Sequence, residues 1–290
     1  MKRLRILIII FSAAVFAIYA FNRVQEAITS DYVPPVISTQ YDTIQASVAV
    51  TDPELLTGMT ASDNLDGDVT DSLVVVSKSK FIQRGTRRVG YAAFDKNNNV
   101  GVYERMLTYT DYQSPRFALL QPLRFLNGNS NVDYLADVSA DDCLDGDITR
   151  QIMITFGDSR SVGDGVTSQK LNIQVTNSAG DTSSLELNAT TEEYNTFYQQ
   201  APALTEYLVY TRAGQWLNLN SYLSGVWSGG NVRTFNETGF EPDSDVSINA
   251  DSVDYNTPGV YAATYRLSRS RSDGSRETLG SNTLYIVVEG

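Results

Sequence analysis

Asp63-Asn64-Leu65-Asp66-Gly67-Asp68-Val69-Thr70 and Asp142-Cys143-Leu144-Asp145-Gly146-Asp147-Ile148-Thr149 stand 79 residues apart. They share the run Leu-Asp-Gly-Asp, then Val or Ile, then Thr. A period near 80 residues is too long for a solenoid and suits a small β domain, so the stretch marks a tandem array. Other landmarks keep step with it. Ser114-Pro115-Arg116-Phe117 follows Pro34-Pro35-Val36-Ile37 at the same distance, and Asn177-Ser178-Ala179-Gly180-Asp181 takes the place of Asp95-Lys96-Asn97-Asn98-Asn99. Gly180 stands where Asn98 stood, the exchange expected where a turn needs a positive φ.

Between these landmarks the pattern is that of strands. Ser47-Val48-Ala49-Val50, Leu73-Val74-Val75-Val76 and Val89-Gly90-Tyr91-Ala92-Ala93-Phe94 are rich in β-branched and aromatic residues, and Val89, Tyr91 and Ala93 share a face at period two. Leu171-Asn172-Ile173-Gln174-Val175 alternates likewise. A third segment lacks the acidic turn, yet Pro258-Gly259-Val260-Tyr261 aligns on the Gly85 to Tyr91 stretch. Ser272-Asp273-Gly274-Ser275 reads as its hairpin turn. The division expected is an apolar segment over 1–29, then domains over 30–111, 112–193 and 194–290.

Composition narrows the function. The chain has 290 residues, net charge −12, no histidine and one cysteine, Cys143. Without histidine it lacks the commonest general base near neutral pH and the commonest zinc ligand. A single cysteine excludes an intramolecular disulfide. Lys2, Arg3, Arg5 and Arg23 cluster at the amino terminus, so the remainder is more acidic than the whole. Such a surface repels nucleic acid, and no nucleic-acid partner is expected.

Ile6 to Phe21 is apolar except for Ser12, behind a basic Met1-Lys2-Arg3-Leu4-Arg5. A signal peptide would need a small-x-small cleavage site, and Val15-Phe16-Ala17 and Ile18-Tyr19-Ala20 are poor ones. Asn22 to Ile28 continues the helical pattern. We therefore expect an uncleaved single-pass anchor in a cell membrane, with the amino terminus cytoplasmic and the domains outside. Secretion after signal cleavage is the alternative.

The proline start, Ala61 to Thr70, the glycine turn, Val89 to Asp95 and the Asn-rich turn together resemble bacterial Ig-like domains. These are the β-sandwich repeats named for a pesticidal crystal protein and found in tandem on bacterial cell-surface proteins. Val253 to Tyr261 with Thr264-Tyr265 carries the same signature in the third segment. The resemblance spans residues 34–290. It implies an all-β chain of three tandem Ig-like antiparallel β-sandwich domains following an N-terminal transmembrane helix. It also implies a spacer or adhesion role without catalytic residues. The second domain departs from the family by lacking the strong glycine-tyrosine strand, and the third by lacking the acidic turn.

The acidic turns invite a calcium reading. An EF-type loop with Gly67 at position 6 puts Leu73 at position 12, and one with Gly146 there puts Ile152, so the bidentate glutamate is missing from both. The preferred reading is a turn in which Asp caps backbone N–H groups. The alternative is a looser calcium site among Asp63, Asp66, Asp68 and Asp71, with Asp142, Asp145 and Asp147 as the second copy. No other cofactor is expected. Ser77-Lys78-Ser79-Lys80 has serine-hydrolase spacing but lies in a β pattern, and Gly157-Asp158-Ser159 has no histidine to activate it. The chain reads as no enzyme. Lysine–asparagine crosslinks could involve only Lys78, Lys80, Lys96 or Lys170. Trp216, Tyr222 and Trp227 could form a sugar platform, against the plainer reading of core aromatics. The expected partners are the membrane and a protein or glycan outside the cell. Domain three is expected to be the interaction unit, with a carbohydrate-binding module as the alternative.

Overall fold

The acidic stretch forms the tight end of a hairpin, and the rest of each domain is arranged around it. The computed structural model describes residues 2–29, 31–128, 132–163 and 165–290. Helix α1 (Lys2–Thr29) comes first, and no described side chain from Leu7 to Gln25 is buried. Seven strands follow: β1 (Val36–Thr39), β2 (Thr43–Ala46), β3 (Met59–Asp63), β4 (Gly67–Asp68), β5 (Val74–Gln83), β6 (Thr86–Phe94) and β7 (Val100–Tyr109). They make two sheets, β1-β3-β4 and β2-β7-β6-β5. The short edge strands β1 and β2 lie in different sheets. β2 runs parallel to β7 while every other pair is antiparallel.

The same plan recurs twice. β8 (Arg116–Leu119), β9 (Arg124–Leu126), β10 (Val138–Asp142), β11 (Gly146–Asp147), β12 (Met153–Gly163), β13 (Val166–Thr176) and β14 (Thr182–Glu192) make the sheets β8-β10-β11 and β9-β14-β13-β12. β15 (Ala201–Leu204), β16 (Leu208–Arg212), β17 (Leu223–Ser228), β18 (Asn231–Arg233), β19 (Val246–Asn249), β20 (Gly259–Ser270) and β21 (Arg276–Glu289) make β15-β17-β18 and β16-β21-β20-β19. Each larger sheet keeps one parallel pair, β9 with β14 and β16 with β21. The molecule is thus an all-β set of three Ig-like sandwiches, with a parallel edge pair in an otherwise antiparallel arrangement. In the third copy the acidic hairpin is replaced by β17-β18, turning at Gly229-Gly230. Short helices at Phe235–Thr238 and Pro242–Asp245 follow, the first held by the Thr234–Glu237 capping box.

Period-two burial supplies each core. β6 buries Val89, Tyr91 and Ala93, and β13 buries Leu171, Ile173 and Val175. The chain divides into two compact units, Met1–Tyr112 and Gln113–Gly290. Within the second unit, one apolar cluster runs from Phe117 and Leu187 to Tyr207, Tyr265 and Ile286, so two sandwiches share a continuous core. Polar contacts reinforce the seam. Tyr285 donates its hydroxyl to the Asn188 carbonyl at 3.0 Å and accepts from the Asn188 N–H at 2.8 Å. Arg116 pairs with Glu289, and the Tyr210 hydroxyl accepts from the Phe117 N–H at 2.9 Å.

Candidate functional site

The acidic turn is built the same way in both repeats. Asp63 Oδ1 accepts from the backbone N–H groups of Leu65 and Asp66, both at 2.9 Å. Asp142 Oδ1 accepts from Leu144 and Asp145 at 2.9 and 3.1 Å. Gly67 and Gly146 close the hairpins with φ of 73° and 69°. Asp68 and Asp147 cap Thr70 and Thr149, each at 2.9 Å. The hydroxyls of those threonines accept from Ala61 and Ala140, each at 3.0 Å. Asp66 and Asp145 reach out to the next hairpin. Asp66 accepts from the Lys96 backbone N–H at 2.8 Å and from Lys96 Nζ at 2.9 Å, whereas Asp145 accepts from the Ser178 N–H and hydroxyl. Asp71 is exposed in the following 3₁₀ turn. These bonds to charged oxygens hold several carboxyls below their usual range: Asp63 chiefly through the Asp66 N–H, Asp66 through the Lys96 N–H, and Asp68 and Asp147 chiefly through the threonine hydroxyls.

One cluster gathers more charge than a turn requires. Asp31, Asp63 and Asp95 each present a carboxylate oxygen, and the three lie within 4.8 Å of one another. All three residues are more than nine-tenths buried. Asp31 Oδ1 accepts from the Val33 N–H at 2.9 Å. Asp95 accepts from Asn99 twice, from its backbone N–H and from its Nδ2, each at 2.7 Å, and the same Nδ2 donates to the Asp31 carbonyl. Asp31 Oδ2 and Asp63 Oδ2 are buried and accept no hydrogen bond. Only Asp63 of this trio stood among the sequence candidates. Asp31 precedes the first strand and Asp95 begins the next hairpin, so no local spacing joins them to it. Asp66, Asp68, Asp71, Asp145 and Asp147 are outside the trio.

The aromatic candidates do not converge. Trp216 is 75 % exposed and packs its ring 4.8 Å from that of Tyr255. Tyr222 packs against the shared core, and burial pushes its hydroxyl pKa up. Trp227 is half-buried, and its indole N–H donates to the Tyr207 hydroxyl at 3.0 Å. Trp227 also lines a cleft of about 480 Å³ with Phe197, Tyr198, Gln121, Arg124 and Asp137. Arg124 is held there by Glu192. Ser77 and Lys80 both lie on strand β5, with Ser77 opposite Gly90, away from the helical geometry that an acyl enzyme needs. Lys78, Lys96 and Lys170 pair with the carboxylates of Asp52, Asp66 and Glu186.

No family model matches the chain, and neither does any curated protein. Among solved structures, the CBM51-2 domain in complex with GlcNAc and INT domains of ZmpB from Clostridium perfringens is 13 % identical with a TM-score of 0.21, over 55 % of this chain and 42 % of that one. A lipoprotein from Bacteroides thetaiotaomicron is 13 % identical with a TM-score of 0.19, over 53 % and 80 %. Mouse protocadherin-24 EC1-3 is 9 % identical with a TM-score of 0.21, over 89 % and 100 %. Likenesses this distant carry no argument about what the chain does.

Proposed function

We propose that this chain is a non-enzymatic, membrane-tethered bacterial surface protein. Its Ig-like sandwiches form a stalk and an interaction unit outside the cell. The observation that carries this reading is the helix span Leu7–Gln25. It has 19 residues, mean hydropathy 2.0, and no residue buried against the sandwiches. An apolar face of that length left in water is costly, and lipid is the environment that relieves it. The basic residues before the span set the amino terminus inside by the positive-inside rule. The shared core of residues 113–290 supports a stalk that resists bending between its two sandwiches. Intact mass of the protein recovered from washed membranes tests the tether. A species near 31.9 kDa retained after alkaline extraction is expected. A soluble form shortened by about 20–30 residues would show signal cleavage instead.

A second reading, glycan binding, is favoured by a specific observation. The cleft beside Trp227 combines aromatic faces with Gln, Arg and Asp side chains, the mixture that sugar recognition uses, and Trp216 offers a separate exposed ring. The full chain in nanodiscs, applied to a glycan array, discriminates the two readings. Binding lost on Trp227→Ala or Trp216→Ala supports the glycan reading, and a blank array leaves the stalk and a protein partner.

A further inference from the structure

We propose that Asp31, Asp63 and Asp95 form a calcium site in the first unit. A lone buried carboxylate is expensive, and three within 4.8 Å repel one another unless a cation or protons intervene. No lysine or arginine is hydrogen-bonded or ion-paired to any of the three among the described residues. Lys96, the nearest basic residue in sequence to Asp95, is engaged with Asp66. The two oxygens without hydrogen-bond partners, Asp31 Oδ2 and Asp63 Oδ2, are fully buried, which is where a metal ligand rather than a solvent-facing oxygen is found.

The geometry suits calcium. Ligand oxygens stand about 2.3–2.6 Å from the ion, so two of them lie at most about 5.2 Å apart. Three oxygens within 4.8 Å can therefore share one ion. Calcium takes all-oxygen shells of six to eight ligands and tolerates mixed carboxylate, carbonyl and water donors. The carboxylates are also held in place beforehand. Backbone N–H groups of Val33, Leu65, Asp66 and Asn99 fix the other oxygens of the three residues. A carboxylate has room for both a hydrogen bond and a metal.

The second repeat is a built-in control. At the position of Asp95 it has Asn177, whose Nδ2 donates to Asp142 Oδ2 at 3.0 Å. One charge is removed, and the oxygen equivalent to the unpartnered Asp63 Oδ2 is satisfied by an amide. The cation site therefore belongs to the first repeat alone. It would join Asp31, two residues beyond the helix, to the acidic turn and the β6–β7 hairpin, so calcium would fasten the start of the sandwich at its membrane-side end.

Calorimetric titration of the full chain in nanodiscs, stripped with EDTA and titrated with calcium chloride, tests the site. One equivalent should bind with a Kd of roughly 10⁻⁵–10⁻³ M. Asp95→Asn, which copies the second repeat, should weaken binding at least about tenfold, while Asp147→Asn should leave it unchanged. Far-UV circular dichroism checks that the variants fold, and the wild-type titration stands even if they do not. No calcium binding by the wild-type chain overturns the proposal, as does equal binding by the Asp95→Asn and Asp63→Asn variants. A thermal midpoint that rises on acidification in EDTA, with no response to calcium, also overturns it, because protons would then be relieving the repulsion.

Discussion

Asn98 is the one non-glycine residue with a positive φ among the described residues, at 65°, and Gly180 sits at 85° in the matching hairpin. The Asn-to-Gly exchange between repeats was therefore a backbone signal readable in the sequence. Gly180→Val should destabilise the second unit by about 1–2 kcal/mol, the cost of a β-branched residue in left-handed backbone, whereas Asn98→Gly should be nearly neutral. Urea unfolding of the two variants measures both. The roles of Asp63 and Asp142 were equally legible, since an Asp before a tight turn caps the following N–H groups. Their company was not. Asp31 and Asp95 reach Asp63 only through the fold, at separations of 32 residues each way, and residue spacing carries no trace of that.

At the scale of elements, the alternating stretches at Val89 and Leu171 became central strands, and the Asn-rich and acidic stretches became their turns. The parallel pairing of β2 with β7 was not readable. It depends on the chain leaving one sheet for the other at residues 40–42, and short edge strands such as Thr43–Ala46 have little pattern of their own. The third copy keeps this strand order without the acidic motif, so the motif closes one hairpin and does not dictate the topology. The turns do impose a pH dependence. The carboxyls of Asp66, Asp68 and Asp147 titrate lower in the folded chain than in the unfolded one. Their stabilisation is complete above the unfolded value of about 4 and is lost as pH falls through the folded values. Thermal midpoints should therefore be flat from neutral pH down to about 5 and fall below about 4. A midpoint that rises in that acid range would contradict the assignment of these bonds.

At the scale of the molecule, the repeat period announced three sandwiches, but nothing in it foretold that residues 113–290 would share one core. The seam is made by residues without a periodic signature: Tyr285 on Asn188, Arg116 on Glu289, and Tyr210, whose hydroxyl pKa is pushed up to about 12 by burial. Residues 113–290 should consequently unfold in one transition. Tyr285→Phe, which removes the paired bonds to Asn188, should lower its stability by about 1–2 kcal/mol. Two separate transitions in calorimetry would contradict a shared core.

The central claim, sandwiches displayed outside a membrane that α1 crosses, is tested most directly with the chain's own label. Cys143 is the sole cysteine and is exposed on the second sandwich. A membrane-impermeant maleimide applied to intact cells expressing the full chain should label it, and Cys143→Ser should abolish the signal. Labelling that appears only after the cells are lysed would place the sandwiches inside and contradict the account.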